Sequence, residues 1–151
     1  MHSIFSKIVD KQIPSYIIYE DDLVMAFLDI SQVTRGHTLV ITKKVYADIQ
    51  DVPQDVFLHL FKIVYQISHV LIKAFKASGL NLINNNGAVA GQTIFHYHVH
   101  IIPRFSKDEI YVKLLDNSSY LREHSHQGFP HKSVCSSCFT FACGIGYFIR
   151  S

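Results

Sequence analysis

The sequence has little cysteine, no long apolar run and little excess charge. Only three of its 151 residues are cysteine, and all three lie within the last twenty positions. An odd number of cysteines confined to one end excludes a disulfide framework and favours a reducing compartment. No stretch reaches the roughly 18 apolar residues of a membrane-spanning helix, and residues 1–7 lack the apolar core of a signal peptide. A net charge of +2 is too small to indicate binding to nucleic acid.

These absences predict a cytoplasmic protein with neither a membrane nor a nucleic acid as its partner. The composition that remains, 48% hydrophobic and 17% charged, is typical of a globular chain. A length of 151 residues fits one domain with a sizeable core. Ten histidines are many for this length, so the charge of the chain will respond to pH near neutrality.

The apolar periodicity predicts an α+β fold. Residues 53–77 place apolar side chains at helical spacing, which predicts one long helix that Pro53 opens and Gly79 ends. A short helix is expected over residues 3–9, and an irregular segment over residues 43–52. Strands are predicted over residues 16–20, 23–30, 37–42, 80–84 and 96–104. A sheet of this kind has open edges, which favour self-association.

Residues 96–104 (HYHVHIIPR) hold three histidines that alternate with apolar residues. Alternation with a period of two predicts a strand, on which His96, His98 and His100 share one face and the apolar residues the other. At about 3.3 Å per residue, neighbouring histidines would lie about 6.6 Å apart. This row of imidazoles suits a small anionic group. The alternatives are a surface accident and a metal site formed by the three histidines.

The loop before this strand, residues 85–93 (NNGAVAGQT), is polar and contains two glycines. It would supply backbone N–H groups and a hydroxyl beside the imidazoles, as an anion site requires. A neutral imidazole is a good nucleophile toward phosphorus and a good leaving group afterwards. His98 is the predicted nucleophile, because only the central imidazole has a histidine on both sides. Its second nitrogen should then donate to an acceptor that fixes the tautomer.

The His-φ-His-φ-His-φ-φ pattern of residues 96–102 resembles the signature of the histidine triad (HIT) superfamily of nucleotide hydrolases and transferases. The likeness covers about residues 3–105 and is greatest to nucleoside phosphoramidase-like bacterial members. It includes, in the family's order, the segments IP (13–14), YEDD (19–22), AFLDI (26–30), GHTLVI (36–41), NN (84–85), AGQ (90–92) and IPR (102–104). This resemblance implies a HIT-like fold with an antiparallel sheet of about five strands and one long helix. It also implies a homodimer formed through the long helix and a paired strand.

The resemblance further implies a purine nucleotide (AMP-type) site and a covalent nucleotidyl-histidine intermediate. His98 matches the nucleophile of the family, His100 the phosphate-facing histidine, and His37 a fourth histidine near the site. His96 is the first histidine of the triad. The implied nucleotide-binding residues are Asp29 at the ribose, Phe27 and Ile30 beside the base, and Asn85, Gln92 and Thr93 at the α-phosphate and leaving group.

The chain departs from the family pattern at its N-terminus. Many bacterial relatives carry a Cys-x-x-Cys pair and a later histidine that hold a structural zinc with the first triad histidine. The matching positions here are Ser3, Ser6 and Val45, so only His96 remains as a ligand. One ligand cannot build a tetrahedral zinc site. We therefore expect neither metal nor cofactor, and expect hydrogen bonds and packing to hold this segment.

The second departure is the C-terminal part of the chain. A HIT domain over residues 1–115 would be followed by an atypical tail over residues 116–151. The tail contains Cys135 and Cys138, a weak indication of a metal site because only one Cys-x-x-Cys is present.

The sequence therefore predicts a hydrolase or transferase that attacks the α-phosphate of nucleoside monophosphate derivatives such as AMP amides. The alternatives are a hydrolase of dinucleoside polyphosphates, such as diadenosine tetraphosphate, and a nucleotide-binding protein without catalysis.

Overall fold

Five strands form one antiparallel sheet, as the sequence predicts. The computed structural model describes residues 3–107, and its strands are β1 (Ile17–Glu20), β2 (Val24–Leu28), β3 (Thr38–Thr42), β4 (Gly79–Ile83) and β5 (His98–Arg104). Their spatial order is β1-β2-β3-β5-β4. The histidine strand β5 is therefore internal, with β3 on one side and β4 on the other.

One face of the sheet is covered by the long helix α2 (Gln54–Phe75). Its buried side recurs every three or four residues, which is the spacing of an amphipathic helix. The sheet presents to it the apolar residues that alternate with the histidines on β5. The core between them comprises Val24, Ala26, Val40, Tyr97, Val99 and Ile101 from the sheet side and Val56, Leu60, Ile63, Val64, Ile67 and Leu71 from α2.

Among the described residues, α2 alone has the length and composition to cross a membrane. Core helices of soluble proteins meet the same criterion. Because α2 buries one face against the sheet, its apolar character is explained by packing.

The opposite face of the sheet is covered by the short helix α1 (Ile4–Val9), which Ser3 caps by accepting from the Ser6 N–H. Phe5 and Ile8 of α1 pack there with four sheet residues, Met25, Phe27, Leu39 and Ile41. A helix of six residues is not stable alone. It is held by this second core, and the triad histidines lie on the same side of the sheet.

Asp21 joins the β1–β2 hairpin to α2. Its Oδ1 accepts from the Leu23 and Val24 N–H groups, and its Oδ2 accepts from the Tyr19 hydroxyl (2.8 Å) and from His59 Nε2 (2.6 Å). Burial alone would raise the pKa of Asp21, but these hydrogen bonds hold it well below its usual range. His59 on α2 thus helps to hold the hairpin against the helix.

Two predicted boundaries are wrong. Helix α2 ends at Phe75, and the residue that takes the left-handed backbone conformation is Lys76 (φ 54°). Its N–H donates to the Ile72 carbonyl and closes the last turn, so the stop does not need Gly79, which is instead the first residue of β4.

The second wrong boundary is the start of the histidine strand. β5 begins at His98, because the chain bends over residues 94–96. The His96 N–H donates to the Ile94 carbonyl (2.9 Å), a local bond that interrupts the ladder. His96 therefore does not extend the row of imidazoles along one strand.

The predicted domain end at residue 115, the tail over residues 116–151 and the Cys135–Cys138 pair all lie outside the described residues.

Candidate active site

Because side chains alternate between the two faces along each strand, the predicted site residues on three strands lie together on the α1 side of the sheet. On β5, His98 is opposite Ile41 and His100 is opposite Leu39 in the antiparallel register. Ile41 and Leu39 belong to the core beneath α1, so both histidines project to that side. The His98 and His100 ring centroids are 5.0 Å apart, closer than the spacing of about 6.6 Å that the strand rise predicts.

His98 is held in one tautomer. Its Nδ1 lies 2.6 Å from the carbonyl oxygen of His96, and because a carbonyl only accepts, Nδ1 must carry the proton. The lone pair of the neutral ring is then on Nε2. Burial lowers the pKa of His98 below the ordinary histidine value, which keeps this ring neutral near pH 7. The orienting acceptor expected from the sequence is thus present.

His100 and His37 form a second pair. His37 Nε2 and His100 Nδ1 are 3.0 Å apart, and the Val33 N–H donates to His37 Nδ1 (3.4 Å). We infer that His37 carries its proton on Nε2 and donates it to His100, which leaves His100 with an Nε2–H donor. Burial, with the neighbouring His98 and His37, lowers the pKa of His100 to about 4. Burial also lowers the pKa of His37.

Asp29 directly follows β2 and stands beside His37. Its N–H donates to the His37 carbonyl (2.9 Å), which continues the β2–β3 ladder by one step. One carboxylate oxygen accepts from the Ser31 N–H (2.9 Å), and the other lies 3.6 Å from His37 Nδ1. The second oxygen is therefore beyond hydrogen-bond length from its nearest ring. A carboxylate so placed can accept from a hydroxyl of a bound ligand.

The two residues expected beside a base differ sharply in exposure. Phe27 is buried, and its ring packs edge-on against Phe5 with centroids 5.8 Å apart. Ile30 is 98% exposed, so in this structure it is not part of an enclosed pocket wall. The role of Ile30 at the base stays a prediction.

The loop over residues 85–93 is built around Gln92. Gln92 is buried, its Oε1 accepts from the Gly87 N–H, and its Nε2 donates to the Ala47 and Ile94 carbonyls. Both amide protons are thus used by backbone carbonyls outside the loop. The predicted contact of Gln92 with a phosphate stays a prediction and would require one of these bonds to open.

Asn85 and Thr93, the other two loop residues with predicted roles, have accessible side chains. Thr93 is exposed, and Asn85 is half-buried with one bond of 3.3 Å from its Nδ2 to the Gly91 carbonyl. Both remain available to a ligand, and their predicted roles at the α-phosphate are neither supported nor contradicted by these contacts.

Two structural supports of the triad were not predicted from the sequence. Asn84 donates through Nδ2 to the His98 carbonyl (2.7 Å) and fixes the backbone of the central histidine. Phe5 packs edge-on against the His98 ring with centroids 5.1 Å apart. No motif signals Phe5, since its partner is 93 positions away in the chain.

His96 is fully buried and bonded at both ring nitrogens. Its Nε2 lies 2.6 Å from the Thr42 carbonyl oxygen, so Nε2 carries the proton and Nδ1 accepts from the Ser3 hydroxyl at 2.7 Å. Burial lowers the pKa of this ring. The hydrogen bonding expected in place of zinc is therefore present, and Ser3, Ser6 and Val45 do not fit a zinc ion.

Another group could hold a metal by proximity alone. Asp29, His37 and His100 each offer a ligand atom within 4.8 Å of the others. The facing nitrogens of His37 and His100 are, however, already bonded to each other. A metal would have to break that bond to use both. The donor set therefore fits a proton-sharing pair better than a metal.

Comparison with known proteins identifies the family of the chain. The family model for the HIT domain matches residues 10–107. The chain is 48% identical to Protein hit of Bacillus subtilis over 106 residues, covering 70% of this chain and 73% of that protein. It is 37% identical to the adenylylsulfatase HINT3 of Arabidopsis thaliana over 135 residues, covering 89% and 66%.

A crystal structure of a HIT family member from Bacillus subtilis superimposes with a TM-score of 0.78 at 39% identity. The match covers 90% of this chain and 99% of that one. The shared sheet, helix and histidine strand lead to one conclusion. The chain belongs to the histidine triad family, a family of nucleotide-binding proteins and hydrolases.

Proposed function

We propose that this protein hydrolyses nucleoside monophosphate derivatives, with AMP amides as the preferred class, through a nucleotidyl intermediate on His98. The observation that carries the proposal is the 2.6 Å bond from His98 Nδ1–H to the His96 carbonyl. This bond directs the lone pair of a neutral imidazole to Nε2, where it can attack phosphorus. The adenylylsulfatase name of the plant relative supports a substrate with an adenylyl group.

The first step forms a bond between His98 Nε2 and the α-phosphorus while the bond to the leaving nitrogen breaks. The departing amine takes up one proton from solvent, because the neutral His100 ring can donate a hydrogen bond through Nε2–H but would become an anion if it gave that proton up. The His98 ring becomes cationic when Nε2 is bonded to phosphorus. Its Nδ1–H faces the His96 carbonyl dipole, which stabilises that charge.

The second step releases the nucleotide. Water attacks phosphorus, the bond from phosphorus to Nε2 breaks, and the proton that the water loses passes to solvent. The products are the nucleoside monophosphate and the restored neutral ring. Asp29 would accept from the ribose hydroxyls, because one of its oxygens has no hydrogen bond within normal length.

Substrate preference follows from the charge of the site. The pKa values of His37, His96, His98 and His100 are all lowered, so these rings are neutral near pH 7. A polyphosphate leaving group needs cations that neutral imidazoles do not supply. We expect kcat/KM for adenosine 5′-phosphoramidate to exceed that for diadenosine tetraphosphate by about tenfold or more. Steady-state rates on both compounds, with adenylyl sulfate as a third, measure this.

Each alternative has its own outcome in that experiment. Faster turnover of diadenosine tetraphosphate would assign the chain to dinucleoside polyphosphate hydrolysis instead. Binding of AMP by calorimetry without turnover of any of the three compounds would indicate a nucleotide-binding protein without catalysis.

We also propose a homodimer, formed through the outer face of α2 and the open edge of β4. Leu58, Tyr65 and Ile72 recur every seven residues on the side of α2 away from the core, and they are 58%, 65% and 40% exposed. Leu82 on the edge strand β4 is 49% exposed. Within residues 3–107 no strand pairs with the outer edge of β4, and an apolar stripe beside such an edge suits a second copy of the same surface.

We expect Tyr65→Asp to shift the sedimentation coefficient from dimer to monomer, because a charge in this stripe would be desolvated at the interface. Val70→Asp is the matched control, since Val70 is 59% exposed but projects from another side of α2. A monomeric parent protein, or a dimer unaffected by Tyr65→Asp, would refute this interface.

A cytoplasmic location remains a proposal that rests on the sequence.

A further inference from the structure

The N-terminal helix is attached to the triad by a single polar contact. Ser3 Oγ lies 2.7 Å from His96 Nδ1, and it also accepts from the Ser6 N–H at 3.1 Å. Because His96 Nε2–H is committed to the Thr42 carbonyl, the Ser3 hydroxyl must be the donor to Nδ1. One side chain therefore both caps α1 and saturates the buried imidazole.

His96 in turn controls the His98 tautomer through its backbone. The ring of His96 is fixed between α1 and the end of β3, and its carbonyl receives the His98 Nδ1–H at 2.6 Å. The peptide group that carries this carbonyl lies in the bend before β5, outside the sheet ladder. Two contacts therefore set its orientation: the Tyr97 N–H of the same peptide donates to the Tyr46 carbonyl (2.7 Å), and the side chain of His96 is fixed by its own hydrogen bonds.

Phe5 couples the same helix to the nucleophile directly. It lies two residues after Ser3, is buried, and packs edge-on against His96 (5.8 Å) and His98 (5.1 Å). A helix of six residues cannot keep this position by its own stability. The position of Phe5 thus depends on the bond between Ser3 and His96 and on the packing of α1.

We propose that Ser3 is a positioning residue for the nucleophile, acting through His96 and Phe5 to keep His98 in its Nδ1–H tautomer and in line for attack. The kinetic part of this inference rests on the proposed function. The tautomer part does not. Loss of the hydroxyl would leave His96 Nδ1 as a buried acceptor without a partner and would loosen the side-chain attachment of the bend, leaving the bond from the Tyr97 N–H to the Tyr46 carbonyl to hold it.

The test uses three substitutions at Ser3. Ser3→Ala removes both the cap and the donor, whereas Ser3→Gly caps almost as well as serine but lacks the donor. Both should lower kcat for adenosine 5′-phosphoramidate about tenfold, with KM within about twofold. Ser3→Thr keeps the hydroxyl and should restore kcat. Ser6→Ala is the matched control, because the Ser6 hydroxyl donates to the Ser3 carbonyl at 2.8 Å, lies 3.5 Å from Ser3 Oγ and supplies no bond to His96; this variant should retain the parent kcat.

The second measurement is the ¹⁵N–¹H spectrum of the histidine side chains, assigned by His98→Gln. The parent protein and Ser3→Thr should show His98 protonated at Nδ1, and Ser3→Ala should show a mixture of tautomers. An unchanged His98 tautomer in folded Ser3→Ala would overturn the proposal, as would an unchanged kcat or a loss that Ser3→Thr does not restore. A tautomer change in a protein that hydrolyses none of the nucleotides would uphold the positioning role and refute the proposed function.

Discussion

Replacing His98 by alanine is expected to lower kcat for adenosine 5′-phosphoramidate by at least roughly a thousandfold, because the nucleophile of a covalent mechanism has no substitute. The remaining imidazoles do not replace it. His96 has both ring nitrogens bonded, and the Nδ1 of His100 is paired with His37. The measurement is steady-state turnover of parent and variant under saturating substrate.

The same experiment can trap the intermediate. Acid-free quenching of the parent protein during turnover, followed by mass spectrometry of the peptide with His98, should show the added mass of one adenylyl group, which is AMP less one water. The variant should show none. His69→Ala is the matched control, since His69 is exposed on α2 and bonds only to the Tyr65 carbonyl. A His98→Ala variant with a tenth of the parent rate would contradict the assignment of the nucleophile.

Replacing Gly36 by alanine is expected to cost about 2–4 kcal/mol in the free energy of unfolding. Gly36 has a φ of +85°, and a Cβ there would lie 2.8 and 2.9 Å from two ring carbons of Phe75. The Phe75 ring packs against the main core and lies 5.6 Å from the Arg35 guanidinium. The Phe75 ring cannot move away freely. The variant therefore incurs both the conformational cost of a positive φ and the steric overlap with this ring.

Gly91→Ala separates these two costs. Gly91 has nearly the same φ, +83°, but a Cβ there would be 3.6 Å from its nearest neighbour, Asn85 Nδ2, an ordinary contact. This control should lose only about 1 kcal/mol, the backbone part. Urea unfolding of both variants gives the comparison. Equal losses at the two positions would show that the Phe75 contact is unimportant. Because Gly36 directly precedes His37, the Gly36 variant should also hydrolyse more slowly.

Local sequence patterns were enough to predict a helix or strand where burial of one face dominates its stability. The period of 3.6 in α2 and the period of two in β5 reflect burial of one face, a requirement that the sequence displays directly. Tyr97, Val99 and Ile101 accordingly lie in the core beneath α2. The patterns failed where a local hydrogen bond overrides the ladder. His96 left the strand because its N–H bonds to the Ile94 carbonyl, and α2 ended at Phe75 because Lys76 takes a left-handed conformation and closes the last turn.

The sequence predicted the environment of the candidate site residues less well than it predicted the helices and strands. The sequence predicts Gln92, Ile30 and Asp29 alike as nucleotide-binding residues. In the structure, however, Gln92 is buried with its amide bonded to the Ala47 and Ile94 carbonyls, and Ile30 is almost fully exposed. Exposure and hydrogen-bond partners depend on residues far along the chain. The 3.0 Å pair of His37 and His100 joins positions 63 apart, which no local spacing predicts.

The sequence by itself determined the family, the order of the strands along the chain and the identity of the central histidine, because these depend on patterns within short segments. Only the tertiary structure decided the protonation of each imidazole. His98 is protonated at Nδ1 because a bend brings the His96 carbonyl to it, and His96 is saturated because α1 brings Ser3. The nitrogen that carries the proton depends on which donors and acceptors lie beside the ring, and those neighbours are brought together only by the tertiary fold.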